Sequence, residues 1–360
     1  MDVYKRKIIF FASVKYLFLL FITILYHGVS FAQLGGSSIY RFMNLPNSAR
    51  VQAMGGVINA IQDEDVNLGY LNPALFNPSM HNRLSMNFVD YFGGVNYGFA
   101  GYARDVEGLG TFGGGLHYVN YGNFKRTDFT GEVLGEFTAG EYCLAIGGSR
   151  RMDSLFTVGA QFKSIFSHFA EYNSFGLALD LGAHYRSLDK LTQLSIVVRN
   201  FGYQLATYSP DTRESMPLEI QAGFAKSFEH LPLKISIVAH NLQQPDLTFR
   251  DPSVPILTND PLTGDTIIQR RQIGDKIMRH IILGAELNLT KNIAFRIGYN
   301  YMRRQEMKVD TRIGTVGISW GLGLNLRKFR LDYGRSAYHL AGSPNNLSLT
   351  FNLSEFNSRN

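Results

Sequence analysis

The sequence predicts an all-β chain: a transmembrane antiparallel β-barrel of about fourteen strands with an N-terminal segment inside its lumen. Three observations carry this expectation. The chain opens with an export signal, alternation of period two runs from about residue 84 to the end, and the alternating segments are long. Many reach the roughly 9–11 residues a tilted strand needs to cross a bilayer, against about 5–6 in soluble sheets.

Residues 1–32 read as a signal peptide. Lys5, Arg6 and Lys7 form a basic start, the run from Tyr16 to Leu25 an apolar core, and Ser30-Phe31-Ala32 the small-residue end, so cleavage is expected before Gln33. The core is too short for a spanning helix, which needs about 20 apolar residues. The leader carries Lys5, Arg6, Lys7 and Lys15 against Asp2, so half of the formal net charge of +6 belongs to it. The rest is dispersed, which argues against a nucleic-acid partner.

Charged residues make up only 18% of the chain, below the usual ~25%, while aromatics reach 13% and Gly counts 36. Mean hydropathy is nevertheless near zero, at −0.07. A helical membrane protein fails that combination. A transmembrane barrel meets it, because half of every strand faces a polar lumen.

Along the chain, Phe156, Val158, Ala160 and Phe162 alternate with Thr157, Gly159, Gln161 and Lys163. Near the end, Leu347, Leu349, Phe351 and Leu353 alternate with Asn346, Ser348, Thr350 and Asn352. Strands are expected near 84–92, 95–104, 109–121, 136–150, 154–168, 172–186, 192–205, 218–228, 232–244, 279–289, 292–304, 313–325, 328–339 and 345–354. Connections alternate between short ones, such as Arg151–Asp153 and Leu326-Arg327, and long ones, above all Pro245–Met278. That asymmetry separates periplasmic turns from outer loops. Aromatic pairs near segment ends (Tyr118 and Tyr121, Phe166 and Phe169, Phe201 and Tyr203, Tyr299 and Tyr301) are expected to form interfacial girdles.

Residues 33–83 break the alternation and precede the barrel at 84–360. Arg50, Gly55, Gly56 and the Asn72-Pro73-Ala74 turn mark short helical or turn pieces cut by Gly and Pro. Many small residues suit a plug packed in the lumen.

Chemistry is sparse. No zincin, nucleophile-elbow, P-loop or Cys-x-x-Cys motif occurs, so neither an enzyme nor a cofactor or metal site is expected. Asp63-Glu64-Asp65 lacks the ligand count of a calcium site and reads as a solvated turn. His184 and His240 fall on polar strand faces, where lumen hydrogen bonds are expected, and lone Cys143 reads as a packed hydrophobe. Gly113-Gly114-Gly115 reads as a place of bending or close approach. The long loop carries Phe249, Arg250, Asp251, Asn259, Asp260, Arg270 and Arg271 and reads as a partner-binding surface.

The run Ser48-Ala49-Arg50 through Met54-Gly55-Gly56 to Asn72-Pro73-Ala74 resembles the opening of the FadL-like barrel superfamily. Ile39-Tyr40-Arg41-Phe42-Met43-Asn44-Leu45-Pro46, Val119–Phe124 and Gly135–Tyr142 narrow the resemblance to the PorV/PorQ family of Bacteroidota. The resemblance implies a fourteen-stranded, FadL-like barrel in the outer membrane, embedded in its lipid. It also implies a role in the type IX secretion system, anchoring a cell-surface attachment complex with PorZ as direct partner and PorU and PorV in the same assembly. Transport of hydrophobic small molecules, or shuttling of cargo as PorV does, are the alternatives within the same superfamily.

Overall fold

The computed structural model describes residues 38–210, 212–248, 257–259, 266–268, 273–309, 314–339 and 342–357. The expected signal peptide lies outside the described residues. In chain order the strands are β1 (Arg83–Asp90), β2 (Asn96–Val106), β3 (Gly110–Thr127), β4 (Val133–Arg151), β5 (Phe156–Phe169), β6 (Tyr172–Arg186), β7 (Thr192–Ala206) and β8 (Glu219–Ser227). They continue as β9 (Leu233–Ala239), β10 (Leu257–Asn259), β11 (Thr266–Ile268), β12 (Ile281–Asn288), β13 (Ile293–Asn300), β14 (Ile318–Asn325), β15 (Phe329–Ser336) and β16 (Asn345–Asn352). The wall is a closed antiparallel barrel of fourteen of these, each paired with its sequence neighbour, and β1 closes on β16. The other two, β10 and β11, form a separate ribbon in the long loop.

Burial along the strands is inverted relative to a soluble sheet. On β14, Trp320, Leu322 and Leu324 are exposed while Ser319 is fully buried. On β16, Leu347 is exposed while Asn346, Ser348 and Thr350 are buried. Apolar side chains pointing outward, with polar ones shut inside, make sense only where the outside is lipid. Among the described residues no helix is long and apolar enough to cross a membrane; this chain crosses with strands.

Connections at one end are short, from Val106 to Gly110, Arg151 to Phe156, Arg186 to Thr192, Ser227 to Leu233, Asn288 to Ile293 and Asn325 to Phe329. The other end carries the long spans from Ala206 to Glu219, Ala239 to Ile281 and Asn300 to Ile318. Outer-membrane barrels turn tightly on the periplasmic side, so the long-loop end faces outward.

Several boundaries differ from the sequence expectation, each for a local reason. The strand expected at 109–121 runs on to Thr127, because Gly122 (φ +86°) forms a bulge that carries the ribbon past Asn120. The strand expected to reach residue 304 stops at Asn300, whose side chain accepts from Arg303 N at 2.9 Å and caps a helix (Tyr301–Met307). The strand expected at 232–244 stops at Ala239, ahead of Asn241 in the left-handed region (φ 53°). The girdle expectation also fails at Tyr121 and Phe169, one member of each of two expected pairs. Tyr121 packs against a buried cluster instead of facing lipid, with the Phe169 ring 5.4 Å away. Phe201 and Tyr203 do point outward, both at least half exposed.

Candidate functional site

The segment from Ser38 to Asn82 is threaded inside the wall. It begins near the outer end, where Ile39 N donates to Ser215 O at 3.1 Å and the Tyr40 hydroxyl pairs with Ser174. It holds two short helices, α1 (Ala49–Ala53) and α2 (Asn67–Leu71), and a 3-10 turn at Pro73–Leu75. Every residue of the three is buried. Five-residue helices are too short to persist alone, so the wall must hold them.

It does so with glycines. Ser48 caps α1, accepting from Val51 N at 3.3 Å, and Ser348 Oγ accepts from Ala49 N at 2.8 Å. A Cβ at Gly298 would collide with the Gly55 amide, at Gly321 with Ala53 Cβ, and at Gly334 with the Ala49 carbonyl. Strands β13, β14 and β15 thus each give up a side chain where α1 and its C-terminal turn lie. Gly55 and Gly56, both with positive φ (98° and 104°), turn the chain away, and Gly55 N donates to Ser319 Oγ at 3.0 Å.

The Asn72-Pro73-Ala74 turn is seated the same way on the opposite wall. Asn72 Oδ1 accepts from Ala74 N at 3.0 Å and Asn72 Nδ2 donates to Asn59 O at 2.9 Å. A Cβ at Gly159 of β5 would strike Pro73, one at Gly182 of β6 would strike Asn72, and one at Gly113 of β3 would strike Phe76. Close approach is therefore the role of Gly113. All six expected plug residues lie in or beside these two seats or in the ion network that joins them to the wall.

That network centres on Arg50. Its Nε and Nη2 donate to Glu286 Oε2 and Oε1 at 2.8 and 3.0 Å, and Nη2 also reaches Asp63 Oδ2 at 2.7 Å. Asp65 Oδ2 lies 3.2 Å from Nη1. Arg296 continues the chain, bonding Glu286 and Asp332 at 2.7 Å each. Burial alone would lower the Arg50 pKa, but Asp63 and Glu286 outweigh it and hold it well above its ordinary value. Burial likewise pushes Asp63 up, and Arg50 and Lys234 more than reverse this, leaving it well below the usual carboxylate range. The acidic trio is thus no solvated turn: Asp63 and Asp65 clamp Arg50, while Glu64 pairs with Arg83 at 2.7 Å.

A second buried cluster marks a fault in the wall. Lys163 and Asp180, both fully buried, pair at 2.6 Å. The register between β6 and β7 shifts between Leu179 and Leu181, and Asn200 takes a left-handed φ of 57° there. Its amide donates to Asp180 Oδ1 at 2.7 Å and its Oδ1 accepts from Lys163 Nζ at 2.9 Å. His184 bonds Ala60 O and Gln193 at 3.1 and 3.2 Å, the lumen role expected of it. Tyr91, Tyr97, Phe92 and Tyr338 meet edge to face in a packed aromatic cluster, and Tyr91 and Tyr97 join it to the buried Tyr40 and Phe42.

Of the expected partner-binding loop, Phe249, Arg250, Asp251, Asp260, Arg270 and Arg271 lie outside the described residues. Asn259 ends β10. The loop's two stems are tied down by Lys276–Asp246 at 2.6 Å and by buried Leu247.

No family model and no curated protein matches the chain. Among solved structures, the Pseudomonas putida toluene transporter TodX aligns with TM-score 0.50 and 13% identity, over 85% of this chain and 98% of that one. A TodX monoaromatic hydrocarbon channel carrying the deltaS2 mutation aligns at 0.51 and 14%, over 86% and 98%. At such identity the likeness is one of fold: the chain shares the barrel architecture of these structures.

Proposed function

We propose that the protein is an outer-membrane anchor that holds a partner protein at the cell surface. The observation that supports this best is the plug: a segment whose helices are buried, seated on glycines of opposite walls and bolted by Arg50, inside a wall closed all round. Such a barrel invests its ordered interior in rigidity. The resemblance of its opening motifs to the PorV/PorQ family, nearest to PorQ, gives the partner a chemistry. It would be a PorZ-like surface protein of the type IX secretion system, with PorU and PorV in the same complex, docking on the outer loop that carries Phe249, Arg250, Asp251, Asn259, Asp260, Arg270 and Arg271.

A second reading, transport of hydrophobic small molecules, has its own support, and the comparisons favour it over the first. The fold is shared with a toluene transporter, and the packed aromatic cluster of Tyr91, Tyr97 and Tyr338 supplies apolar surface inside the wall. A PorV-like cargo shuttle is a variant of the anchor reading, differing in whether the partner is released.

One experiment separates the two main readings. Cysteines placed at Met54 of the plug and Gly284 of β12, where an added Cβ would lie 3.1 Å from Met54 Cβ, would lock the plug to the wall when oxidised. An anchor keeps its partner in pull-downs from detergent-solubilised outer membranes, locked or not. A transporter loses uptake of a toluene-like solute on locking. Recovery without any large surface protein, together with lock-sensitive uptake, would overturn the anchor reading.

A further inference from the structure

The periplasmic end of the lumen holds two adjoining cavities of about 480 and 340 Å³ that share Glu64, Asn292, Asn325 and Arg330. Both fall within the roughly 300–1,000 Å³ typical of ligand pockets. Their lining is charged and lopsided. The smaller presents Arg83, Arg327, Lys328 and Arg330 against Glu64 alone. The larger adds Arg186, Lys234 and Lys291 to Arg50, Arg296 and Arg330, facing Asp63, Glu64 and Glu286.

Arg83, Arg327 and Arg330 are paired with Glu64, Glu355 and Asp332, which leaves Arg186, Lys234 and Lys291 as the least engaged cations. Arg186, the last residue of β6, keeps its Nε buried without a hydrogen-bond partner among the described residues. Lys234 reaches Asp63 and Glu286 only at 3.5 and 3.6 Å, longer than a strong charge-assisted bond. Lys291 is exposed on the short turn after β12. A buried guanidinium N–H without an acceptor costs free energy that a ligand oxygen would recover. A concave mouth whose cations outnumber its carboxylates also concentrates anions.

We propose that this vestibule is a binding site for a polycarboxylate, with Arg186, Lys234 and Lys291 as its principal donors. The ligand is either a small free anion or the acidic segment of a periplasmic protein; the carboxylate chemistry is common to both. The site lies at the opposite end from the outer loops and does not depend on the anchor reading.

Calorimetric titration of the full chain in detergent tests it with two probes, citrate and a peptide ending in three glutamates. Saturable binding is expected for at least one probe, weakening as salt rises from about 0.05 to 0.5 M. Arg186→Gln and Lys291→Gln should each weaken it about tenfold. Lys291 stands on an exposed turn, so that variant keeps its fold, and an unchanged melting temperature will check this. Binding of both probes points to a free anion, and binding of the peptide alone to a protein segment. Failure of both to bind, or equal affinity in the double variant, would overturn the proposal while leaving partner pull-down at the outer face unaffected.

Discussion

Arg50 of the plug and Glu286 of β12 meet in a two-bond fork, Nε to Oε2 at 2.8 Å and Nη2 to Oε1 at 3.0 Å, across 236 positions of sequence. Both side chains are nearly inaccessible, at 2% and 4% exposure. The fork fixes where α1 sits along the barrel axis, because Glu286 is held in turn by Arg296 and Arg296 by Asp332. An apolar plug could slide over an apolar lumen; a guanidinium between placed carboxylates cannot.

Replacing Arg50 by Ala takes the shared cation from Glu286, Asp63 and Asp65, leaving Glu286 to Arg296 and Lys234 and Asp63 to Lys234 alone. The expected cost is about 3–5 kcal/mol, the usual result of breaking a buried ion network from one side. Thermal unfolding followed by gel mobility measures it, and planar-bilayer recordings should reveal new conductance as the plug loosens. Glu286→Gln keeps the shape and should cost less.

The clamp should weaken in acid. Asp63 titrates lower in the folded protein than its free value of about 3.9. Its contribution is therefore complete above the unfolded pKa and is lost as pH falls through the lower folded value. Plug protection, measured by protease access at the lumen, should stay flat from neutral pH down to about 4 and fall below it. A decline already at pH 6 would place the sensitivity elsewhere.

Gly298→Ala should unseat α1. The added methyl would meet the Gly55 amide, a backbone atom with little freedom to move, and overpacking of this kind costs about 1–3 kcal/mol. Gly274→Ala is the control. That position lies in the helix Ile273–Arg279 with open space around its missing Cβ, and the change should be neutral or slightly stabilising. The comparison is made by chemical unfolding of both variants beside the parent.

The strands were legible because lipid and lumen impose opposite preferences on alternate residues, and alternation is a local signal. The seats were not. Gly298, Gly321 and Gly334 lie in three strands, and only barrel closure aligns them under one helix. Arg50 could be singled out as a plug residue, yet its partner Glu286 looked like any polar-face carboxylate. The bulges at Gly122 and Asn200 were hidden because period-two reading treats a break in phase as an end of strand, and here the chain runs on.

Cys143 should resist a thiol reagent until the barrel opens. It is fully buried on the inner face of β4, packed with Ile165, Val119 and Ala178. Labelling with a water-soluble maleimide should be negligible in the native protein and complete in denaturant. Rapid native labelling would mean that water reaches the lumen at this depth.

Leu144, one residue further along β4, tests the membrane face itself. It is 49% exposed, with Leu116 opposite it on β3, so in the bilayer its side chain meets acyl chains near mid-height of the wall. Leu144→Arg should cost about 2–4 kcal/mol of folding free energy in lipid, and Leu144→Ala much less. Refolding into vesicles across a denaturant series gives both numbers. If the arginine were tolerated as well as alanine, this face would be meeting water, and the inverted burial pattern on which the barrel reading rests would need another explanation.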